Sequence, residues 1–346
     1  MKKKLSLKKI KNIVIIRTDR IGEVLLSTPV IAALRKHCPN ADISFVTSNY
    51  AGEVVYGRHD LKEVVFFDTL GKELSVLDSM SLSKSLIQRK FDLAVVMNPH
   101  KYLHLAVFLA RIPIRLGFKR KWPFLLTHKV EDHKDKGLYH EVEYNLGLLQ
   151  AIGIKEKDIA PSIPHSLELI GHFPQKELKG IGDKLVVVHP GTSNPSKRWP
   201  LEYYIEVVKD LAKIKGVGII LSGDESEVSL CEQIKERVGH NVFNLAGKLK
   251  LTALIALLGK ASLLITNDTA PMHIAAALGT KVIAIFGRNI AGVSPKRWGP
   301  YGNKHKVFHK ASECAECKDT ECPYGYKCLK AVTPEEVFKT AKVILE

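Results

Sequence analysis

The stretch "TNDTAPMHIAAALGTKVIAIFG", residues 266–287, places polar residues between two apolar runs. The runs at 261–265 and 281–286 have the length and the branched side chains of buried strands. The segment between them has a helical pattern, and Asp268 or Thr269 is suited to cap its first turn. A strand, a helix and a second strand in this order are typical of a parallel sheet.

The same alternation of strand and helix patterns extends over the chain. Strands are predicted in the first half at 12–16, 43–47, 64–67, 93–97 and 114–117, and in the second half at 185–188, 218–221, 242–244, 263–266 and 282–286. Helices are predicted between them, among them one over 22–37 and one that begins at Pro200. The sequence therefore predicts an α/β fold with two parallel-sheet domains, residues 1–165 and 184–346, joined by a linker at 166–183.

The 346-residue chain carries a net charge of +16, with 45% hydrophobic and 25% charged residues. This composition is globular, and the charge favours an anionic partner unless the lysines only form a solvated surface. We expect no nucleic-acid partner, because no DNA- or RNA-binding motif occurs. No apolar run reaches the ~18 residues of a membrane span, and the apolar stretch after the basic start is too short for a signal peptide. A cytoplasmic location is therefore expected.

Six cysteines occur, and four of them cluster in "CAECKDTECPYGYKC". These four are Cys314, Cys317, Cys322 and Cys328. A C-x-x-C pair followed by two more cysteines is compatible with a small structural zinc site, although the second half is not a C-x-x-C pair. A cysteine-rich loop without metal is the alternative.

The usual phosphate-binding signatures are missing from the sequence. It has no G-x-G-x-x-G after a strand, no P-loop, and no D-x-D pair that would clamp a metal–nucleotide-sugar complex. Two loops after predicted strands supply cations and helix N-termini instead: "HPGTSNPSKRWP", residues 189–200, and "DTAPMHIAAALG", residues 268–279. The pattern favours a phosphorylated ligand. The simpler alternative is that Asp268 only caps a helix and that His273 only packs in the core.

These two loops, with "IVIIRTDRIGEVLLSTPVIAALRKHCPNADISFVTS", "HEVEYNLGLLQAIGI" and "CLKAVTPEEV", resemble the ADP-heptose:lipopolysaccharide heptosyltransferase family over nearly the whole chain. The resemblance implies a GT-B fold of two Rossmann-like domains that face each other across a cleft. The first domain would bind the acceptor and the second the nucleotide sugar, with the last helix able to pack back on the first domain. It also implies metal-independent, inverting transfer of a heptose from ADP-heptose to the lipopolysaccharide inner core, without a cofactor.

The resemblance assigns roles to residues of the second domain. Lys197 and Asp268 would be catalytic, with Lys197 neutralising the charge that develops on the leaving ADP. Glu225 or Glu227 would contact the ribose or the adenine. The full set of implied donor-binding residues is Thr192, Ser193, Lys197, Glu225, Asp268, Thr269, Ala270 and His273.

The general base is the point at which this chain departs from the family. The family carries an aspartate in an "IGD" element after the first strand, and here "RIGEVL" places Glu23 there. A carboxylate that takes the acceptor proton is needed, so Glu23 is the predicted base, with Asp19 as an alternative. Another possibility is a changed acceptor or another nucleotide sugar, and the simplest is a rim ion pair of Glu23 with Arg17 or Arg20.

The acceptor implied by the resemblance is a lipid A-linked core oligosaccharide at the inner leaflet of the inner membrane. Its phosphates and the lipid surface would attract basic residues of the first domain. The implied acceptor-binding residues are Arg17, Asp19, Arg20, Lys119, Arg120 and Lys121, beside Trp122 and Phe124. Peripheral attachment to the membrane is therefore expected.

Overall fold

The computed structural model describes residues 6–69, 71–164, 181–239, 241–310, 314, 317 and 322–346. The chain divides into two compact units, Met1–Pro164 and His165–Glu346. The linker predicted at 166–183 lies outside the described residues except for its last three positions.

The first unit is a six-stranded sheet with helices between its strands. Its strands are β1 (Asn12–Ile16), β2 (Asp42–Thr47), β3 (Glu63–Phe66), β4 (Leu93–Val96), β5 (Ile114–Phe118) and β6 (His128–Val130). Its helices are α1 (Ile21–Leu25), α2 (Thr28–His37), α3 (Asn49–Gly52), α4 (Val76–Ile87), α5 (Lys101–Leu109) and α6 (Glu141–Leu148). The strands are parallel and have the order β3-β2-β1-β4-β5-β6.

The second unit repeats this plan. Its strands are β7 (Lys184–His189), β8 (Val217–Leu221), β9 (Val242–Asn244), β10 (Leu263–Asn267), β11 (Lys281–Phe286) and β12 (Lys306–His309). Its described helices are α7 (Leu201–Ala212), α8 (Val228–Val238), α9 (Leu251–Lys260), α10 (Ala270–Ala277), α11 (Pro295–Trp298), α12 (Lys327–Lys330) and α13 (Pro334–Leu345). The parallel sheet has the order β12-β11-β10-β7-β8-β9.

Both sheets have the doubly wound Rossmann order. In each, the first strand of the unit lies beside the fourth, and the chain winds outward from that pair in opposite directions. The predicted α/β class with two Rossmann-like parallel-sheet units is confirmed. The pair β1/β4 and the pair β7/β10 are the switch points, where ligands of such sheets bind at the carboxyl ends of the strands.

Two features of the first unit differ from the prediction. The helix expected over 22–37 is interrupted between α1 and α2, because the side chains of Ser27 and Thr28 bond to the carbonyls of Glu23 and Leu25. Pro29 is the second residue of α2, where its nitrogen needs no helical partner. The edge strand β6 was missed, because three residues with two polar side chains carry no strand signal.

The core of the second unit explains where its last helix lies. β12 was also missed by the sequence reading, since it is a short edge strand that begins with lysine. Helix α13, which the resemblance allowed to return to the first domain, buries Val337, Ala341 and Leu345 in the hydrophobic core of the second unit. That core also contains the fully buried Trp199.

Candidate active site

The predicted site residues lie where the two sheets can bind ligands. In the second unit, the loop after β7 carries Thr192, Ser193 and Lys197, and the loop after β10 carries Asp268 and Thr269. These loops follow the two strands that form the switch point of that sheet. The strand order therefore brings together segments that are separated by about seventy residues in the sequence.

Asp268 is the centre of a compact charge cluster. Its Oδ2 atom lies 2.7 Å from Lys197 Nζ and 3.2 Å from Arg288 Nη2. Asp268 and Arg288 are buried, and the Lys197 side chain keeps 19% of its surface exposed. One buried carboxylate thus holds two cations at the carboxyl edge of the sheet, which gives the cluster a net positive charge suited to a phosphorylated ligand.

Arg288 was not assigned a role from the sequence. It follows β11, and its backbone has a φ of +61°, the left-handed region that non-glycine residues seldom adopt. Its carbonyl lies 3.1 Å from His309 Nε2, so β12 helps to hold it in place. In the sequence, the one feature that points to a role for Arg288 is a basic residue close after a buried strand.

The helix that follows Asp268 is not capped as expected. Asp268 pairs with cations instead of capping α10, and Thr269 occupies the cap position without a capping hydrogen bond. The Thr269 hydroxyl lies 3.0 Å from that of Thr266. Helix α10 begins at Ala270, and neither Asp268 nor Thr269 caps the first amides of this helix. His273, the fourth residue of α10, is buried.

Asn267, which the sequence analysis overlooked, ties the two loops together. Its side-chain oxygen accepts the backbone N–H of Trp199 at 3.0 Å. Its amide nitrogen donates to the carbonyls of Pro190 at 2.8 Å and Gly191 at 3.3 Å. Since Asn267 is fully buried, these bonds set the position of the 190–199 loop, and with it Lys197, relative to Asp268.

We expect Asn267→Ala to destabilise the second unit. It leaves the N–H of Trp199 and the carbonyl of Pro190 without this partner, at about 1–3 kcal/mol for each buried group. Urea unfolding followed by tryptophan fluorescence measures the loss. Asn303→Ala, at an exposed position of the same unit, is the matched control and should leave the transition in place. Equal midpoints for the two variants would contradict this role.

The rest of the phosphate-suited loop packs around His189 and Glu227. Burial lowers the pKa of His189 to about 4, so its ring is neutral at pH 7, with Nδ1 lying 3.2 Å from Ser222 Oγ. Burial raises the pKa of Glu227, whose carboxylate accepts the N–H of Asp224 at 3.0 Å. A Cβ on Gly191 would lie 1.9 Å from that carboxylate, so this glycine permits the close packing.

These contacts distinguish the two glutamates that were predicted to contact the ribose or the adenine. Glu227 is buried and bonded within its own turn, whereas Glu225 is exposed on the same turn. In the other loop, Ser193 is exposed and Thr192 is buried, with its carbonyl accepting from Arg198 Nη2 at 3.1 Å. Glu225 and Ser193 are thus the more accessible members of the predicted donor set.

The first unit has its own charge network after β1. Arg17 Nε donates to Asp19 Oδ1 at 2.7 Å, and Arg17 Nη1 lies 3.6 Å from Glu141 Oε1. Glu141, fully buried at the start of α6, also accepts from Lys134 Nζ at 2.6 Å. Burial opposes the charge of Arg17, but Asp19, Glu141 and Glu23 raise its pKa overall. Neither Glu141 nor Lys134 had been singled out.

Glu23 lies in the first turn of α1, beside this network. Its pKa is raised, first by burial and then by the nearby charge of Asp19, while Arg17 and Arg20 act in the opposite direction. A carboxylate with a raised pKa is a stronger base than an ordinary carboxylate. The rim ion pair considered from the sequence, Glu23 with Arg17 or Arg20, is not among the ion pairs of the described residues, where Arg17 pairs with Asp19 and Glu141 instead.

The other basic residues predicted for the acceptor occupy two places at the edge of the sheet. Arg20 is exposed just before α1. Lys119, Arg120 and Lys121 follow β5, which β4 separates from β1. Lys119 pairs with Glu131 at 2.5 Å, and Arg120 pairs with Asp132 at 3.1 Å. The structure therefore groups Arg17, Asp19, Arg20 and Glu23 after β1, and sets residues 119–121 farther along the same carboxyl edge.

The four clustered cysteines line one small cavity of about 20 Å³, together with Ser196 and Arg288. Two of the sulfurs accept backbone N–H groups, Cys317 from Asn289 at 3.3 Å and Cys322 from Tyr326 at 3.2 Å. Among the described residues, no group of three metal-ligating side chains is arranged to hold an ion. The zinc hypothesis for Cys314, Cys317, Cys322 and Cys328 thus gains no geometric support from this part of the chain.

In the described part of the chain, no helix has the length and apolar character needed to span a bilayer.

Two Rossmann-like units with six-stranded parallel sheets are the fold of the GT-B class, and the family model identifies the chain as a glycosyltransferase. Residues 79–327 match the description "Glycosyltransferase family 9 (heptosyltransferase)". The chain belongs to glycosyltransferase family 9. The family resemblance and the expectation of an enzyme are confirmed.

Three similar proteins illustrate this placement. The lipooligosaccharide heptosyltransferase 2 of Campylobacter jejuni is 24% identical over 94% of this chain and 96% of the relative. The glycosyl transferase family 9 structure from Veillonella parvula has a TM-score of 0.83 at 22% identity, over 99% of each chain. The ADP-heptose lps heptosyltransferase II structure from Escherichia coli has a TM-score of 0.79 at 22% identity, over 97% of this chain and 98% of that one. The two structures share the fold of this chain.

Proposed function

We propose that this protein transfers a heptose from ADP-heptose to the inner core of lipopolysaccharide, with inversion at the anomeric carbon and without a metal ion. The family and the names of its relatives support the sugar and the acceptor. The observation that carries the proposal is the pair of cations, Lys197 and Arg288, held by Asp268 at the switch point of the second sheet.

In this proposal the second unit binds the donor. The diphosphate accepts hydrogen bonds from Lys197 and Arg288, which share one carboxylate and can each turn a further N–H toward phosphate. The amides at the start of α10 and the hydroxyls of Thr192 and Ser193 add donors. Glu225 accepts from the ribose or the adenine. His273 is the residue proposed to lie near the donor sugar and the diphosphate, with Asp268 and Thr269.

The chemical step is a single displacement. Glu23 takes the proton of the acceptor hydroxyl, and that oxygen attacks the anomeric carbon on the face opposite the diphosphate. The bond between the anomeric carbon and the phosphate oxygen breaks, and its electron pair leaves with ADP. Lys197 and Arg288 neutralise the charge that appears on the leaving phosphate, in the place where a metal ion acts in transferases with a D-x-D pair.

A different nucleotide sugar or acceptor is the second candidate. Glu23 favours it, since the glutamate side chain is one methylene longer than the aspartate of the family motif and so requires the acceptor hydroxyl to sit differently. The ion pairs of buried Arg17 with the partly exposed Asp19 and with the buried Glu141 hold the charged groups next to Glu23 in place.

Calorimetric titration with ADP, UDP and GDP, with and without EDTA, tests the donor. We expect a clear preference for ADP that EDTA does not change, because protein cations rather than a metal hold the diphosphate. A preference for UDP or GDP would keep the fold and exclude ADP-heptose as donor. Absence of binding for all three would overturn the role of the Asp268 cluster.

The acceptor is anchored in a membrane by its lipid, so we also propose that the protein works at the cytoplasmic face of the inner membrane as a peripheral protein. The net charge of +16 supports this location, because the anionic leaflet attracts basic residues with about 1 kcal/mol each. Arg17, Asp19, Arg20 and the basic run 119–121 are the residues proposed to meet the acceptor.

A further inference from the structure

The segment after β5 holds an unusual turn on the first unit. Lys121 and Trp122 are consecutive and have φ values of +46° and +62°, so both adopt the left-handed conformation. Each such residue costs of order 1 kcal/mol unless its surroundings impose it. Buried His104, on α5, lies beneath the turn with Nδ1 2.8 Å from the carbonyl of Lys121. Burial lowers the pKa of His104, so the ring is neutral at pH 7 and donates from Nδ1 to that carbonyl.

The turn presents aromatic rings to solvent. Trp122 keeps 38% of its surface exposed and Phe124 keeps 72%. The Trp122 ring meets the Tyr102 ring edge-on at 5.9 Å, and the Phe124 ring lies 6.4 Å beyond it. The three rings thus form a row that starts on α5, and the Trp122 and Phe124 rings are partly exposed to water.

Cations surround these rings. Lys101 Nζ lies 4.8 Å from the Tyr102 ring centre and 5.7 Å from that of Trp122. Lys119, Arg120 and Lys121 precede Trp122 directly, and the pairing of two of them with Glu131 and Asp132 leaves the patch with a net positive charge. Exposed tryptophan and phenylalanine ringed by lysine are suited to the boundary between lipid headgroups and acyl chains.

The position of the turn fits a lipid-anchored substrate. The turn begins where β5 ends, and Glu23 follows the end of β1 on the same parallel sheet, with only β4 between the two strands. Neighbouring strands are about 4.8 Å apart, so the end of β5 lies roughly 10 Å from the end of β1 along one edge. A membrane that contacts the turn would therefore bring an attached acceptor close to Glu23.

We propose that Trp122 and Phe124 form an anchor that inserts into an anionic lipid bilayer, with Lys101 and Lys121 at the headgroups. The biological role of this anchor rests on the proposed function. The anchor itself is a property of the first unit, so membrane binding can be tested without measuring heptose transfer. The strained turn has a role in this account, because it holds two aromatic side chains outward on a rigid support.

Co-sedimentation with vesicles of phosphatidylglycerol and phosphatidylcholine tests the anchor. The double variant W122N/F124S keeps a residue that tolerates the left-handed turn at 122, and we expect its vesicle partition coefficient to fall about tenfold or more. Tyr56→Ser removes a similarly exposed ring, 65% accessible in the same unit, and should change nothing. Lipids with brominated acyl chains should quench the fluorescence of the intact chain and not that of the double variant.

Three outcomes would overturn the proposal. These are a double variant that partitions like the intact chain, quenching that is unchanged by the substitutions, or binding that depends only on Lys101 and Lys121. ADP titration of each variant verifies that the second unit is intact. If ADP binds and the vesicle result is negative, the anchor fails alone; if vesicles bind and ADP does not, the proposed donor site fails and the anchor stands.

Discussion

Glu23→Gln is expected to reduce kcat by about 10²–10⁴-fold, the usual contribution of a general base. The amide has nearly the same shape and cannot take the acceptor proton. ADP affinity should stay unchanged, since Glu23 belongs to the first unit and the diphosphate ligands belong to the second. Initial-rate kinetics and calorimetry on the same preparation measure both effects. Glu63→Gln, at the amino end of β3, is a matched control and should keep full turnover.

The pH dependence follows from the raised pKa of Glu23. The base is active as the carboxylate, so turnover is retained above that pKa and lost as the pH falls through it. Asp19 is one cause of the shift, after burial. Asp19→Asn removes its charge, lowers the pKa of Glu23, and should move the acid limb of the kcat/KM profile to lower pH. An acid limb that stays in place, or a Glu23→Gln variant with normal turnover, would remove Glu23 from this role.

Lys197→Ala is expected to have the second large effect. It removes the more accessible of the two cations on Asp268, and loss of one charge-stabilising donor costs about 10²–10³-fold in kcat. ADP should also bind more weakly, and Arg288→Gln should weaken it further, since the two cations share one carboxylate.

The same kinetic and calorimetric assays are applied to a control variant. Lys213→Ala removes a lysine whose side chain is 74% exposed and pairs only across one turn with Asp210, so it should be neutral. Methylammonium added to the Lys197→Ala variant should restore part of the turnover if the missing cation is the cause. Full activity of Lys197→Ala would show that Asp268 and Lys197 form a structural pair only.

The fold could be predicted from the sequence because it depends on local patterns of apolar and polar residues. Ten strands were predicted as continuous apolar runs, and each of these ten is present within one or two residues of the expected ends. The two missed strands, His128–Val130 and Lys306–His309, lie at sheet edges, where burial on both faces is not required and the sequence is mixed. The interruption between α1 and α2 at Ser27 depends on a hydrogen bond from its hydroxyl to the carbonyl of Glu23, and the periodicity of apolar residues does not reveal such a bond.

From the sequence, site residues could be predicted only in the segments that follow predicted strands. Lys197 and Asp268 could be named for that reason, but their contact depends on β7 and β10 being neighbours. Asn267 and Arg288 also follow predicted strands closely, but their roles, like that of Glu141, depend on partners far away in the sequence, on elements whose adjacency is set by the whole fold. Long-range pairing of buried polar groups is therefore the part that sequence reasoning missed.

Transfer from ADP-heptose to a purified inner-core acceptor, with the product analysed by NMR, tests the central claim most directly. The account predicts release of one ADP for each heptose transferred, an inverted configuration at the new glycosidic bond, and an unchanged rate in EDTA. Retention of configuration, or a rate that disappears with EDTA, would contradict the displacement assigned to Glu23, Lys197 and Arg288.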